Sequence, residues 1–160
     1  MSYSPYKYRI PKPRRANTEH QLQAACVTWF RYTYPKFRLL LFAIPNGAEL
    51  KNGAKAWKKL EAEGAVPGAA DLLLSVPSGD LSGLYIEMKT PKGRQTKTQK
   101  EFELAVISQG YGYAVPRSNL EFEKVVKRYL ECGEYDHRKD RPSGPDTTGE
   151  ETGYEGPDEI

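Results

Sequence analysis

The chain has 160 residues, of which 38% are hydrophobic, and a formal net charge of +3. This length suits one domain with short appendages, and no apolar run approaches the roughly 18 residues that a membrane-spanning helix needs. Cys26 and Cys132 are too few and too far apart for a zinc motif, so we expect free thiols. The basic N-terminus lacks the apolar segment of a secretory signal, and we therefore expect a soluble cytoplasmic protein.

The two ends of the chain differ in composition from its centre. Residues 1–16 combine three tyrosines, three prolines and five bases, which predicts an extended arm, either unstructured or following a nucleic-acid strand. Residues 131–160 hold ten acids against three bases, which predicts a disordered acidic tail. The other 130 residues carry 21 bases and 11 acids, and such a basic body favours a polyanionic partner. The predicted boundaries are an arm at 1–16, a domain at 17–132 and a tail at 133–160.

The first predicted helix begins after Thr18 and runs to about residue 34. Thr18 and Gln21 have the spacing of a capping box, and Cys26 lies on the apolar face, where we expect it in the core. Glu19 shares this face, so its carboxylate either complements the helix dipole or points into a site. His20, one residue round the helix, is expected to be exposed.

A second apolar run, Phe37–Ile44, is too short for an exposed helix, and we predict a central strand. A lysine-rich segment follows and predicts a helix over Ala54–Glu63, with Gly64 as its C-cap. The lysines of this segment are either a solvated helix face or phosphate contacts.

The most informative pattern is a predicted hairpin. Residues 71–76 and 84–89 each have the composition of a strand, and the Pro, Ser and Gly residues between them predict a turn. If the antiparallel pairing is centred on Gly79, Asp71 faces Glu87. The pattern therefore predicts two carboxylates side by side.

Strand alternation adds Lys89 to the face that carries Asp71 and Glu87, and places Leu84, Ile86 and Met88 on the apolar face. Adjacent carboxylates raise each other's pKa unless a cation lies between them, and hard oxygen ligands suit Mg²⁺ or Mn²⁺. The alternative is an exposed ion pair between Glu87 and Lys89, which would stabilise the strand little. Spacing alone leaves both interpretations open.

The C-terminal half of the domain predicts two further helices and one strand. The first helix covers Thr98–Gln109, with Phe102, Ala105 and Val106 facing inward and Gln99 on the same inner face. Residues 110–115 predict a strand. Residues 118 and 121 then have capping-box spacing and open a final helix that ends near residue 133. The element order predicts an α/β fold with a mixed central sheet flanked by helices.

This ordered set of motifs resembles the PD-(D/E)xK nuclease superfamily, with its restriction-endonuclease-like core, and within it the compact stand-alone phage and bacterial form of the VRR-NUC domain. The resemblance covers about Thr18 to Leu130. The residues that carry it are Glu19, Ile44–Gly47, Gly64–Leu72, Ile86–Lys89, Gly93–Arg94 and Gln99. The main departure is Ala70, where the family pattern usually has proline before the aspartate. A proline there would shape the backbone without contributing to the chemistry.

The resemblance implies that Asp71, Glu87 and the backbone carbonyl of Met88 bind a catalytic Mg²⁺ or Mn²⁺. Glu19 would complete the acidic cluster. Lys89 would position the attacking water and stabilise the charge that grows on the phosphate, and Gln99 would support the site. The residues expected to contact nucleic acid are Asn46, Lys51, Lys55, Lys58, Lys92, Arg94 and Lys97.

The resulting hypothesis is a metal-dependent endonuclease that hydrolyses DNA, with branched DNA such as four-way junctions as a candidate substrate. The resemblance also implies a homodimer, which in a phage-encoded protein would act in the cytoplasm of the bacterial host. We expect neither an organic cofactor nor a membrane partner. The alternative is a catalytically inactive nucleic-acid-binding or packaging protein with a nuclease-like fold, and an endoribonuclease would differ only in substrate.

Overall fold

The computed structural model describes residues 18–45 and 53–132. The predicted arm and tail, Asn46, Lys51 and the side chain of Lys55 lie outside the described part, so the predictions made for them stay predictions.

The described residues form one mixed sheet with helices on both faces. Its strands are β1 (Leu41–Ala43), β2 (Leu72–Leu74), β3 (Leu84–Ile86) and β4 (Gly112–Ala114), in the spatial order β1-β2-β3-β4. β2 is antiparallel to β1 and to β3, whereas β3 and β4 run parallel. The predicted mixed α/β architecture is confirmed.

The hairpin of β2 and β3 has the predicted register. Leu72 pairs with Ile86 and Leu74 with Leu84, which centres the pairing on Gly79. Gly79 has a φ of +56°, a conformation that glycine adopts without steric cost. This register brings Asp71 and Glu87, which lie just beyond the ladder, to the same end of the hairpin.

Residues 18–45 and 53–132 contain four α-helices: α1 (Glu19–Thr33), α2 (Gly53–Ala62), α3 (Lys97–Ser108) and α4 (Asn119–Lys127). The predicted capping box of α1 is present in full. At α4, the side chain of Ser118 caps the helix as predicted. The carboxylate of Glu121, however, accepts a hydrogen bond from the amide of Arg117 and not from the amide of Ser118, so the predicted capping box is only half formed. None of the helices in the described ranges is long and apolar enough to cross a membrane.

The main core lies between the sheet and the pair α1 and α4. Cys26 and Phe30 of α1 and Phe122 of α4 are buried there against Leu72 and Ile86. Burial, with a smaller contribution from the charge of Glu123, raises the pKa of the Cys26 thiol to about 12. Cys26 is thus a buried, unreactive core residue, as its helical position predicts.

The apolar run Phe37–Ile44 is not a central strand, and that prediction is wrong. A 3₁₀ turn, Pro35–Phe37, precedes the run and overlaps it at Phe37, and only Leu41–Ala43 joins the sheet, at its edge next to β2. Leu39 is 78% exposed. Apolar composition predicted burial on both faces of a strand, but in the described residues this segment has a strand neighbour on one side.

The predicted inward face of α3 is correct for Phe102 and Val106 but wrong for Ala105, which is exposed. Glu103 is buried instead, where its carboxylate accepts a 2.8 Å hydrogen bond from the side chain of Gln95. A hydrogen-bonded acid can occupy an inner position that an apolar pattern assigns to a small residue.

Candidate active site

A cavity of about 410 Å³ opens where the start of α1, the end of β1, the start of β2 and the residues after β3 meet. Five residues that the sequence predicts for the site line it: Glu19, Asp71, Glu87, Lys89 and Gln99. The structure therefore brings together side chains that are up to 80 positions apart in the sequence.

Asp71 is held against the backbone of the neighbouring strand. Its Oδ2 accepts a 2.8 Å hydrogen bond from the amide of Met88, while its own carbonyl accepts the amide of Ile44 at 2.9 Å. The Met88 side chain is fully buried in the core. Asp71 is thus fixed at both its side chain and its backbone, and ligation by the Met88 carbonyl stays a prediction.

Glu87 is the most enclosed residue of the site, with 1% of its surface exposed. Its Oε1 lies 2.6 Å from Nζ of Lys89 and 2.6 Å from Nε2 of Gln99, so it accepts hydrogen bonds from both. Its Oε2 is buried and has no hydrogen-bond partner among the described residues. An unsatisfied buried carboxylate oxygen is costly, because it has lost water without gaining a donor.

The electrostatics of the site favour an additional positive charge. Burial, reinforced by the charge of Asp71, raises the pKa of Glu87 from 4.5 to about 7, although Lys89 opposes this shift. Burial by itself would lower the pKa of Lys89, but its hydrogen bond to Glu87 and the nearby acids raise it. Lys89 is 8% exposed, so the alternative of a solvent-exposed ion pair is wrong.

Glu19 points from the first turn of α1 into the cavity. Its Oε1 accepts a 3.2 Å hydrogen bond from the amide of Thr90, and its Oε2 lies 4.0 Å from Nζ of Lys89. The carboxylate therefore both sits at the helix N-terminus and adds negative charge beside the lysine.

Gln99 has two roles in one side chain. Its Oε1 accepts the amide of Thr96 at 2.8 Å, which completes a capping box at the start of α3, while its Nε2 donates to Glu87. The sequence contains the signal for this cap, because Thr96 and Gln99 have capping-box spacing. Gln99 was predicted at the site, but its part in the cap was not predicted.

The turn after Lys89 packs closely against the site, and sequence reasoning did not assign this packing. A Cβ added at Gly93 would lie 3.1 Å from Oε1 of Glu19 and 3.2 Å from Cδ of Lys89. Nη2 of the buried Arg117 donates to the carbonyl of Gly93 at 3.2 Å. Glu19 and Arg117 thus hold this turn from two sides, and no local sequence pattern marks Arg117.

The described residues predicted to contact nucleic acid lie outside the cavity wall. Lys58, Lys92, Arg94 and Lys97 are all exposed. Lys92 and Arg94 flank Gly93 and so lie on the turn beside the site, whereas Lys97 forms a 3.7 Å ion pair with Glu101. His20, which the sequence predicts to be exposed, is exposed and lines the cavity together with Gln23. Gln23 was missed, although it lies one helical turn after Glu19.

The site fits a divalent cation held by two carboxylates. Within residues 18–45 and 53–132, no group of three or more His, Cys, Asp and Glu side chains lies close enough to hold a metal ion. Mg²⁺, however, is commonly bound through one or two carboxylates, with water completing its coordination. The unsatisfied Oε2 of Glu87 and the neighbouring Asp71 supply this donor set.

Comparison with known proteins identifies the fold. No family model matches the chain, and no curated protein matches it closely. A solved structure described as a VRR_NUC domain protein superimposes with a TM-score of 0.63 and 22% sequence identity, over 75% of this chain and 93% of the other. The resemblance predicted from the motifs is therefore confirmed at the level of the fold: this chain has the fold of a VRR-NUC domain.

Proposed function

We propose that this protein is a Mg²⁺- or Mn²⁺-dependent endonuclease that hydrolyses DNA phosphodiester bonds. The observation that carries the proposal is the environment of Glu87: a buried carboxylate with one unsatisfied oxygen, next to Asp71 and in contact with Lys89 and Gln99. Such a cluster lowers the folding stability of the unliganded protein, but it is suited to binding a cation and a phosphate.

Asp71 and Glu87 would hold the cation. When bound, Mg²⁺ supplies positive charge that neutralises the phosphate and makes water a better nucleophile. Asp71 is suited to ligation because the amide of Met88 fixes its carboxylate, and Glu87 because Oε2 faces no competing donor in the described residues.

Lys89 and Gln99 both hold Glu87, and Lys89 would also act on the reacting groups. The two donors hold Oε1 of Glu87 and so orient Oε2. Lys89 lines the cavity, and its ammonium group would hydrogen-bond the attacking water and stabilise charge on the phosphate oxygens. Glu19, 4.0 Å from Lys89, helps to keep this lysine protonated.

The test compares cleavage of a four-way junction, a linear duplex, single-stranded DNA and RNA with Mg²⁺, Mn²⁺ or EDTA. We expect metal-dependent cuts in DNA that Asp71→Asn and Lys89→Met abolish. Asp80→Asn, an exposed acid of the same hairpin, should leave cleavage unchanged. Full activity of Asp71→Asn in Mg²⁺ would refute the proposal.

The same experiment separates the alternatives. Salt-dependent DNA binding with no product under any metal condition would identify a catalytically inactive binding protein. Cleavage of RNA alone would identify an endoribonuclease. A junction preference together with a dimer mass in light scattering would support a homodimer that presents two sites to branched DNA.

A further inference from the structure

A second cavity adjoins the candidate active site and runs between α1 and β1. It has a volume of about 330 Å³ and shares His20, Gln23 and Ala43 with the catalytic cavity. From this shared wall it follows α1 to Arg31, with Phe42 on the β1 side. We call it the α1–β1 groove. A polymer with a phosphodiester at Glu87 could pass directly into it.

The helix side of the groove forms one continuous stripe. His20, Val27 and Arg31 are seven and four residues apart, a spacing that keeps them on one face of a helix. With a rise of about 1.5 Å per residue, the stripe from His20 to Arg31 is roughly 16 Å long. This length accommodates a short segment of a nucleic-acid strand that leads away from the catalytic cavity.

The groove combines the two features that bind single-stranded nucleic acid. Arg31 supplies a positive charge at its far end, and Phe42, which is 45% exposed, supplies an aromatic face in the wall. Bases stack on exposed aromatic rings when their own faces are uncovered, whereas bases inside a duplex are already stacked on each other. The chemistry of the groove therefore favours an unpaired strand.

The cavity that adjoins the site at Ile44 and Pro45 has a different lining from the α1–β1 groove. A third cavity of about 440 Å³ shares Ile44 and Pro45 with the site, and Glu63 is the charged residue among its described lining. Glu63 forms a 3.7 Å ion pair with Lys59, so this mostly apolar wall offers a polyanion no positive charge among its described lining residues. The asymmetry assigns the path of the strand to the side of α1.

We propose that the α1–β1 groove binds an unpaired DNA segment that flanks the scissile phosphodiester, with Phe42 stacking on a base and Arg31 contacting a phosphate. The inference rests on the proposed function, because it takes DNA as the polymer at the site. It adds that the preferred cleavage position lies next to single-stranded DNA.

The first test measures binding without cleavage. Fluorescence anisotropy with a labelled oligothymidylate, in EDTA, compares the full chain with Phe42→Ala and Arg31→Ala. We expect Phe42→Ala to weaken binding about tenfold, the effect of losing one stacked base. Arg31→Ala should weaken binding and lower the slope of log affinity against log salt by about 0.7, the value for one phosphate contact with a single strand.

Two matched controls lie outside the groove. Tyr32→Ala removes an aromatic ring that is 89% exposed on the same helix, and Arg38→Ala removes an exposed arginine. Both should bind oligothymidylate as the unchanged protein does. Equal affinities for Phe42→Ala, Arg31→Ala and the two controls, or no binding of oligothymidylate at all, would overturn the proposal.

The second test separates this inference from the proposed function. With Mg²⁺, a duplex that carries a single-stranded extension should be cut better than the blunt duplex, and Phe42→Ala should remove that preference. Cleavage with an unchanged preference in Phe42→Ala would refute the groove but keep the nuclease. Weakened binding without cleavage by any protein would refute the nuclease but keep the groove. A change of oligomeric state in Phe42→Ala with unaltered DNA binding would show that the groove joins two copies of the chain, and would also refute it.

Discussion

Nε2 of Gln99 lies 2.6 Å from Oε1 of Glu87, and the Oε1 of the same glutamine lies 2.8 Å from the amide of Thr96. One side-chain amide therefore joins the N-terminus of α3 to the buried carboxylate of the site. Because the capping box fixes the first turn of α3, the same glutamine that caps the helix also holds Glu87 in place.

The capping box of α3 and the contact between Gln99 and Glu87 can be tested separately by substitution. Thr96→Ala removes the hydroxyl that accepts the amide of Gln99, and should cost about 1 kcal/mol in the free energy of unfolding. It leaves the bond between Gln99 and Glu87 intact, so cleavage should change less than about twofold. Gln99→Ala keeps the bond from its backbone amide to the Thr96 hydroxyl but removes the two hydrogen bonds of the Gln99 side chain, from the Thr96 amide and to Glu87, and should also lower activity roughly 10- to 100-fold.

Urea unfolding and single-turnover cleavage measure the two effects. Gln109→Ala, at the exposed end of the same helix, serves as the control and should alter neither quantity. If Thr96→Ala lost as much activity as Gln99→Ala, the cap rather than the contact with Glu87 would be the cause.

The pKa of Glu87 predicts how stability depends on pH in the absence of metal. Its folded value of about 7 lies above the ordinary 4.5, so between these pH values the folded state holds a proton that the unfolded state releases. Stability should therefore fall as pH rises from 4.5 to 7, by up to about 3 kcal/mol from this group.

The measurement compares urea unfolding of the unchanged protein and Glu87→Gln between pH 5 and 8 in EDTA. Glutamine cannot titrate, so the variant should lose this part of the pH dependence. Parallel curves for the two proteins would show that Glu87 titrates near its ordinary pKa.

Above pH 7 the buried carboxylate of Glu87 is ionised, so we expect a bound metal ion to stabilise the folded protein. A cation that binds the folded state alone raises the unfolding free energy by about 2.7 kcal/mol at a concentration 100-fold above its dissociation constant. We expect Mg²⁺ or Mn²⁺ to raise the melting temperature of the unchanged protein and of Asp80→Asn, but not of Asp71→Asn or Glu87→Gln. Equal shifts in all four proteins would place the metal elsewhere. Cleavage is not needed for this readout.

The sequence predicts the parts of the site that depend on local geometry. Strand alternation and a turn centred on Gly79 are sufficient to place Asp71, Glu87 and Lys89 at one end of a hairpin, and the register confirms this. Helical spacing likewise placed Gln99 on an inner face. These relationships follow from backbone periodicity, which needs no knowledge of the remaining fold.

The parts that failed depend on tertiary packing. Nothing in the sequence of Phe37–Ile44 distinguishes an edge strand from a central one, because composition does not reveal which strands lie beside it. Glu87 becomes buried when Gln99 and Lys89 pack around it. The hydrogen bond from Arg117 to the carbonyl of Gly93 likewise joins residues that are 24 positions apart. Such contacts become visible only when the elements are assembled.

The last prediction concerns Gly93, whose close approach to the site leaves little room for a side chain. In Gly93→Ala the new Cβ would lie 3.1 Å from Oε1 of Glu19 and 3.2 Å from Cδ of Lys89, so these side chains must shift by a few tenths of an ångström. Because catalysis is sensitive to displacements of this size, we expect kcat to fall roughly tenfold.

Gly83→Ala is the matched control, since its Cβ would lie 3.1 Å from the Leu74 carbonyl and 3.2 Å from the Tyr111 ring, away from the cavity. Backbone yields less than a side-chain end, so Gly83→Ala should lose more stability, about 1 to 3 kcal/mol, while its kcat stays near that of the unchanged protein. Thermal melts and single-turnover rates together decide the matter: an unchanged kcat in Gly93→Ala would mean that the turn after Lys89 does not position the lysine.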